Sequence, residues 1–251
     1  MYSVYQTNLI YCINLQHRQD RKQHTQTEFM KINIAPEMVI YPRLVKDPRG
    51  GVYGCYESHL KIWADFYYNY PDKPYCLIFE DDFVAQPKAK ELMEKAQEFI
   101  NHNYRQIDIL NLHDFDVPVD NPINNKTFNN GYGFMTHAYF ITRPYLENIL
   151  KKNHNKFPSA NGYHIDFLLN TYKKNLLYSE KIFYTTQPCF IQLVDKSDNY
   201  FNKLDELIRE DVNERIYRGV KFSRFVKKYK LLNDNGIKNV YILLNKIVNN
   251  I

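Results

Sequence analysis

The sequence lacks any apolar stretch long enough to cross a bilayer. Nowhere do about 18 apolar residues follow one another, and a membrane-spanning helix needs about 20. The first residues, MYSVYQTNLIYCINL, also lack the basic segment and following apolar segment of a secretory signal. We therefore expect a cytoplasmic protein.

Cysteine is scarce as well. The four cysteines are Cys12, Cys55, Cys76 and Cys189, and no two of them form a CxxC pair. This spacing predicts neither a zinc site nor a disulfide framework. We expect reduced cysteines that act mostly as small, buried apolar side chains.

The main body of the chain has no excess of charge of either sign. Residues 1–200 hold 22 Lys and Arg against 22 Asp and Glu, whereas residues 201–251 hold 11 basic and 6 acidic residues. The whole net charge of +5 therefore lies in the last fifth of the chain. A neutral body argues against nucleic acid as the main ligand, since duplex binding usually needs a basic face on the domain itself.

What the chain does contain is typical of a folded α/β protein. It has 251 residues, of which 44% are hydrophobic and 24% charged, which fits one domain with an appendage. Strand-like and helix-like patterns alternate through residues 8–180, which predicts a largely parallel, Rossmann-like sheet flanked by helices. We expect a domain at 1–200 and a basic helical extension at 201–251. The predicted strands are 8–15, 39–41, 75–79, 107–112, 138–142 and two short strands within 176–193; the predicted helices are 22–32, 55–70, 87–100, 144–152, 163–174 and most of 203–248.

Three carboxylates follow the most apolar predicted strand. Glu80, Asp81 and Asp82 come directly after the run YCLIF. Neighbouring carboxylates repel one another and raise one another's pKa, and a divalent cation with a preference for oxygen, Mg²⁺ or Mn²⁺, removes that penalty. Ligands of α/β sheets bind beyond the carboxyl ends of the strands, where this cluster lies. A solvated acidic turn is the alternative.

Two further polar groups border predicted elements. Arg18 and Arg21 follow the first strand, and two guanidinium groups there suit a phosphate or a carboxylate. A surface loop with an Asp20–arginine pair explains them equally well. Ser58 and His59 lie where we expect a helix to begin, and a helix N-terminus can receive an anion. A purely structural histidine is the alternative.

Taken together, these motifs resemble glycosyltransferase family 25, the group of lipopolysaccharide-type and procollagen galactosyltransferases. The strong matches are INLQHRQDR (13–21), GCYESHLKIW (54–63) and CLIFEDDF (76–83). Weaker matches are HAYFIT (137–142), HIDFLL (164–169) and QPCFIQ (187–192), so the resemblance spans roughly residues 8–195.

The resemblance implies a GT-A fold and an inverting transfer of galactose or glucose from a UDP-sugar to a hydroxyl of a glycan or protein, with Mn²⁺ or Mg²⁺ as cofactor. It also implies a role for each matching residue. Asp82 and Glu80 are the expected metal ligands, and Asp166 is the expected general base, although spacing alone explains Asp166 equally well as a carboxylate at a helix N-terminus. The expected donor-binding residues are Asn14, Arg18, Arg21, Ser58, His59, Glu80, Asp81 and Gln192.

Two other classes of protein remain open at this point. Clustered carboxylates also serve metal-dependent phosphoryl transfer, for which His113-Asp114-Phe115-Asp116 would be the second cluster. A non-catalytic nucleotide-sugar-binding module is the other class. The basic segment 215–230 also has two explanations, a helix packed on the body or a peripheral contact with an anionic membrane.

Overall fold

The structure is a computed structural model, and it describes residues 9–114, 117–118, 120–132, 136–160, 164–170 and 175–193. The predictions for residues 201–251, including the helical extension and the domain boundary at 200, lie outside the described residues. None of the helices within the described ranges is long and apolar enough to span a bilayer.

Eight strands of the described chain form one sheet in the order β2-β1-β3-β8-β5-β9-β7-β6. Six of them run in one direction, and β8 and β7 run in the opposite direction. The remaining two strands, β4 and β10, pair with each other in an antiparallel ribbon. The strands are β1 (Ile10–Ile13), β2 (Val39–Ile40), β3 (Tyr75–Glu80), β4 (Phe83–Ala85), β5 (Ile109–Asp114), β6 (Val117–Pro118), β7 (Phe128–Tyr132), β8 (Ala138–Thr142), β9 (Ile182–Thr185) and β10 (Phe190–Gln192).

Helices cover both faces of this sheet. Side chains of α1 and α3 pack on one face, around Phe29, Phe79 and Phe83, and side chains of α2, α4 and α5 pack on the other, around Trp63 and Tyr139. The strand β3 is buried on both faces, which is why its sequence is continuously apolar. The predicted α/β class is confirmed. The helices are α1 (Gln19–Lys31), α2 (Gly51–Asn69), α3 (Ala89–Asn103), α4 (Arg143–Lys152) and α5 (Ile165–Asn170), with a 3₁₀ turn at Pro36–Met38.

Several boundaries differ from the prediction. The helix α1 begins at Gln19, three residues before the predicted start at 22. The strands β6 and β7 lie between the predicted strands 107–112 and 138–142, where no strand was expected; FNNGY in β7 has no apolar alternation. Pairing with β9 through the backbone holds this polar strand in the sheet. The short strand β4 was also missed, since three residues give too little periodicity.

Candidate active site

Polar side chains gather at one edge of the sheet. The strands β1, β3, β5 and β9 end at this edge, and the antiparallel β8 begins there. The pairing of β3 with β8 joins the amide of Glu80 to the carbonyl of His137 at 2.9 Å. The edge therefore combines residues after parallel strands with residues before an antiparallel one, in the position where α/β sheets bind ligands.

Asp82 is a buried carboxylate of this edge with a strongly raised pKa. Its side chain is buried, Oδ2 accepts a hydrogen bond from Gln192 Nε2 at 2.6 Å, and Oδ1 accepts none from the described residues. Burial, followed by repulsion from Glu80, raises the pKa of Asp82 to about 7, although the Gln192 hydrogen bond and the Arg21 charge oppose the rise. The pairing of β10 with β4 brings Gln192 to Asp82, since Gln192 lies opposite Phe83.

The polar residues after β1 lie on the α1 side of the sheet. Arg21 is buried in the first turns of α1, and its charge acts on Asp82. Asn14 is also buried; its Nδ2 donates to the carbonyl of Arg18 at 3.0 Å, and its Oδ1 accepts no hydrogen bond from the described residues. Arg18 forms an ion pair with the exposed Asp20 at 2.8 Å. Arg21 therefore lies within electrostatic range of the acidic cluster, whereas Arg18 pairs with Asp20.

Glu80 faces the α2 side, where two donors meet one of its oxygens. Thr136 Oγ1 donates to Glu80 Oε1 at 2.6 Å, and His59 Nε2 lies 3.3 Å from the same oxygen. Burial alone would raise the pKa of Glu80, but the hydrogen bonds from His59 and Thr136 help to outweigh burial and lower it. Glu80 is thus held as a carboxylate beside a partly protonated Asp82.

The helix predicted at 55–70 begins four residues earlier, so the placement of Ser58 and His59 near its N-terminus is wrong. The helix α2 begins at Gly51, after Gly50 with a φ of 117°, so both residues lie two turns inside the helix. Ser58 Oγ donates to the carbonyl of Gly54 at 2.6 Å, and His59 is fully buried. Gly54 instead allows a close approach, since a Cβ there would lie 3.2 Å from the Cβ of Asp47.

Cys55 lies beside the same carboxylate. The prediction of small buried thiols is confirmed for Cys12, Cys76 and Cys189, whereas Cys55 is only half-buried. A sulfur, a nitrogen and an oxygen of Cys55, His59 and Glu80 all lie within 4.8 Å of one another, which is a spacing that could hold a metal ion. The sequence spacing of the cysteines did not indicate this group, because Glu80 joins it only through the fold.

Asp166 and Asp81 complete the predicted set. Asp166 lies half-buried in the first turn of α5, and after burial the charges of Glu80, Asp166 and Asp82 raise the pKa of the Cys55 thiol. Asp166 is therefore within electrostatic range of Cys55, at the α2 side of the edge. Asp81 is half-exposed between its two neighbours and likewise raises the pKa of Asp82.

The sequence did not indicate a site role for three residues of this edge, Thr136, His137 and Tyr139. His137 is buried, its Nε2 lies 3.3 Å from the carbonyl oxygen of Phe190, and burial followed by His113 lowers its pKa to about 3. The run HAYFIT indicated a strand, but only a reversed strand brings its first residues to this edge. The direction of a strand cannot be obtained from its own sequence.

The oxygen atoms at this edge fit a divalent cation and a polar ligand. Asn14 Oδ1, Asp82 Oδ1 and Asn111 Oδ1 are buried and accept no hydrogen bond from the described residues. Buried polar atoms are normally paired, so these oxygens suit a ligand that supplies cationic or hydrogen-bonding partners. Carboxylate oxygens of Glu80, Asp81 and Asp82 are the hard ligands that Mn²⁺ and Mg²⁺ prefer.

Residues 49–182, just over half of the chain, match the sequence profile described as glycosyltransferase family 25 (LPS biosynthesis protein). The match includes Glu80–Asp82 and Asp166 but not Arg18, Arg21 or Gln192. Among solved structures, the chain is similar to a glycosyltransferase involved in the glycosylation of the major capsid of PBCV-1, with 13% identity, a TM-score of 0.45, and 83% of this chain and 98% of that chain covered. No curated protein matches the chain in sequence.

Proposed function

The chain belongs to glycosyltransferase family 25 and is a glycosyltransferase, and we propose that it transfers galactose or glucose, with inversion, from a UDP-sugar to a hydroxyl of a glycan or protein. The observation that carries this proposal is the buried carboxylate of Asp82, which has an oxygen without a partner among the described residues and stands beside Glu80 and Asp81 at the carboxyl end of β3. The sheet order and flanking helices support a GT-A type of fold.

In this proposal Asp82 and Glu80 bind Mn²⁺ or Mg²⁺, and Asp81 binds the cation or the ribose. The cation supplies a Lewis acid and a template for the diphosphate of the donor. Arg21, already buried beside Asp82, adds positive charge at the nucleotide end, and Arg18 can exchange Asp20 for a phosphate at its partly exposed position. Gln192 fixes the Asp82 carboxylate through its hydrogen bond to Oδ2.

Inversion at the sugar carbon requires a base that accepts the proton of the acceptor hydroxyl. We assign this role to Asp166, because it is a half-buried carboxylate within electrostatic range of Cys55 yet on a different element from the acidic cluster. A base on its own helix can approach the sugar from the side opposite the nucleotide.

The test is a donor screen that needs no acceptor. We expect the protein to bind UDP only with Mn²⁺ or Mg²⁺ in calorimetry, and to hydrolyse UDP-galactose or UDP-glucose slowly under the same conditions. Asp82→Asn should abolish both without unfolding the chain, whereas the exposed Asp72→Asn serves as a matched control. Wild-type hydrolysis in a chelator, or by Asp82→Asn, would refute the metal assignment. The anomeric configuration of a transferred sugar, measured by NMR, tests inversion separately.

A further inference from the structure

A chain of four side chains connects the core of the α2 side to Glu80. Trp63 Nε1 donates to the Tyr139 hydroxyl oxygen at 3.0 Å, and that hydroxyl lies 2.7 Å from His59 Nδ1. His59 Nε2 lies 3.3 Å from Glu80 Oε1. Trp63, Tyr139 and His59 are fully buried, so solvent cannot replace any of these contacts.

Donor and acceptor counting fixes the direction of the chain. An indole N–H only donates, so the Tyr139 oxygen is the acceptor of the Trp63 bond. The Tyr139 O–H then has one acceptor among the described residues, His59 Nδ1, and leaving a buried hydroxyl unpaired is unfavourable. His59 Nδ1 is therefore bare and Nε2 carries the proton, which it donates to Glu80.

The spacing of His59 and Trp63 in the sequence allows both side chains to reach the Tyr139 hydroxyl. His59 and Trp63 are four residues apart on α2, so their side chains share one face. Tyr139 stands opposite Ile78 in the pairing of β3 with β8, two residues before Glu80 on β3, and its hydroxyl lies between the two α2 side chains.

This hydrogen-bond chain determines which oxygen of the Glu80 carboxylate is available to a ligand. Oε1 accepts hydrogen bonds from both His59 and Thr136, whereas no described residue donates to Oε2. The Glu80 side chain keeps 16% of its surface exposed. One oxygen is thus fixed by the protein, and the other remains for a ligand.

We propose that His59 and Tyr139 are positioning residues that orient Glu80 with Oε2 free to bind the donor or its cation. This inference rests on the proposed function and refines the expected role of His59, which is too deeply buried to contact a donor and acts through Glu80. Trp63 fixes the Tyr139 hydroxyl in turn.

Metal binding by Cys55, His59 and Glu80 is the competing use of the same atoms. A metal on His59 Nε2 needs a bare nitrogen there, so the proton would have to move to Nδ1. Nδ1–H would then point at the Tyr139 oxygen, and the Tyr139 O–H would lose its acceptor among the described residues. The hydrogen-bond chain therefore favours the positioning role.

The first experiment measures the protonation of His59 in the ligand-free protein. Imidazole ¹⁵N NMR spectra of the wild type, with the His59 signals assigned by their loss in His59→Gln, should show a protonated Nε2 and a bare Nδ1. A proton on Nδ1 would overturn the proposal. So would a Co²⁺–thiolate absorption band in the wild type that disappears in Cys55→Ser. Neither result depends on whether the protein binds UDP.

The second experiment is a double-mutant cycle on Mn²⁺-dependent UDP affinity. His59→Asn can still accept from Tyr139 but is too short to reach Glu80, and we expect it to weaken binding about tenfold, the equivalent of one charged hydrogen bond. In a Glu80→Gln background the same change should have almost no further effect, because His59 acts only through Glu80. Additive effects would overturn the proposal.

His59→Gln provides the rescue, since its amide can accept from Tyr139 and donate to Glu80, and it should recover part of the affinity lost in His59→Asn. Equal losses in the two variants, with equal melting temperatures, would contradict the positioning role. If the wild type binds no UDP with Mn²⁺, the proposed function fails while the ¹⁵N measurement still decides the orientation of the chain.

Discussion

The ionised form of Asp82 is unfavourable in the folded, metal-free protein, because burial and Glu80 raise its pKa from 3.8 to about 7. A carboxyl group whose pKa is higher in the folded state contributes most stability below its unfolded pKa, and that stability is lost as the pH rises through about 7. Each unit of the difference corresponds to about 1.4 kcal/mol. We predict that Asp82→Asn raises the melting temperature of chelator-treated protein at pH 8 and gives no advantage near pH 4.

Thermal melts from pH 4 to pH 8 without metal check this prediction, with the exposed Asp72→Asn as control. A constant difference between Asp82→Asn and wild type over the whole range would mean that Asp82 is not the titrating group. Ionised Asp82 lowers the stability of the metal-free protein, whereas a bound cation would stabilise its carboxylate. Functional sites commonly reduce stability in this way.

Asp166 gives a prediction that separates binding from chemistry. If Asp166 is the base for the acceptor hydroxyl, Asp166→Asn should lower kcat about 10²–10⁴-fold and leave the affinity for UDP with Mn²⁺ unchanged. Steady-state transfer assays and calorimetry on the same preparation measure the two quantities. Unchanged transfer would move the base to another carboxylate, and a loss of UDP binding would place Asp166 among the donor ligands.

At the scale of the elements, Arg143 holds the end of α2. Its guanidinium donates to the carbonyls of Phe66, Tyr67, Tyr70 and Lys73 at 2.6–3.2 Å, and the same group lies over the Phe66 and Tyr67 rings. These carbonyls belong to the last turn of the helix and the residues after it, where a helix supplies few backbone partners. The carbonyls of Phe66 and Tyr70 also accept the backbone amides of Tyr70 and Lys73. One side chain from the start of α4 therefore completes the end of α2.

We predict that Arg143→Met destabilises the protein by about 1.5–3 kcal/mol, the range for hydrogen bonds to a charged group. Chemical denaturation measures the change, and Arg105→Met, at an exposed arginine, is the matched control. UDP affinity with Mn²⁺ should be unaffected in the folded protein, because Arg143 lies at the opposite end of α2 from Cys55. A loss of affinity without a loss of stability would contradict this structural role.

At the scale of the whole molecule, the charge is divided between a neutral body and a basic end. Seven basic residues and no acidic one lie within 215–230, outside the described residues. Each Lys or Arg near an anionic leaflet contributes about 1 kcal/mol. We predict that the protein co-sediments with anionic but not neutral vesicles at low salt, that high salt releases it, and that truncation after residue 200 abolishes binding in a chain that still folds.

If the protein binds neither kind of vesicle, the basic segment has a structural role in the protein. In that case truncation after residue 200 should lower the melting temperature or prevent folding. Circular dichroism of the truncated chain distinguishes the two outcomes, since a peripheral membrane segment can be removed without loss of the α/β fold.

The sequence by itself determined the class of fold and singled out the acidic cluster after β3. The periodicity of β3, β8 and α4 was strong enough to place these elements within a residue of their observed bounds, because each buries a continuous apolar face. The carboxylates Glu80–Asp82 were recognisable because three like charges after a buried strand are unfavourable without a ligand. The family resemblance within residues 49–182 is likewise confirmed.

Only the tertiary structure decided which polar groups meet. The reversal of β8 brings Thr136 and His137 to the edge where β3 ends, and strand direction has no signal in local sequence. The start of α2 at Gly51 turned His59 from an expected ligand at a helix N-terminus into a buried partner of Tyr139 and Glu80. The apolar pattern of a sequence indicates which residues are buried. The hydrogen-bond partner of a buried polar atom comes from an element distant in the chain, so only the fold identifies that partner.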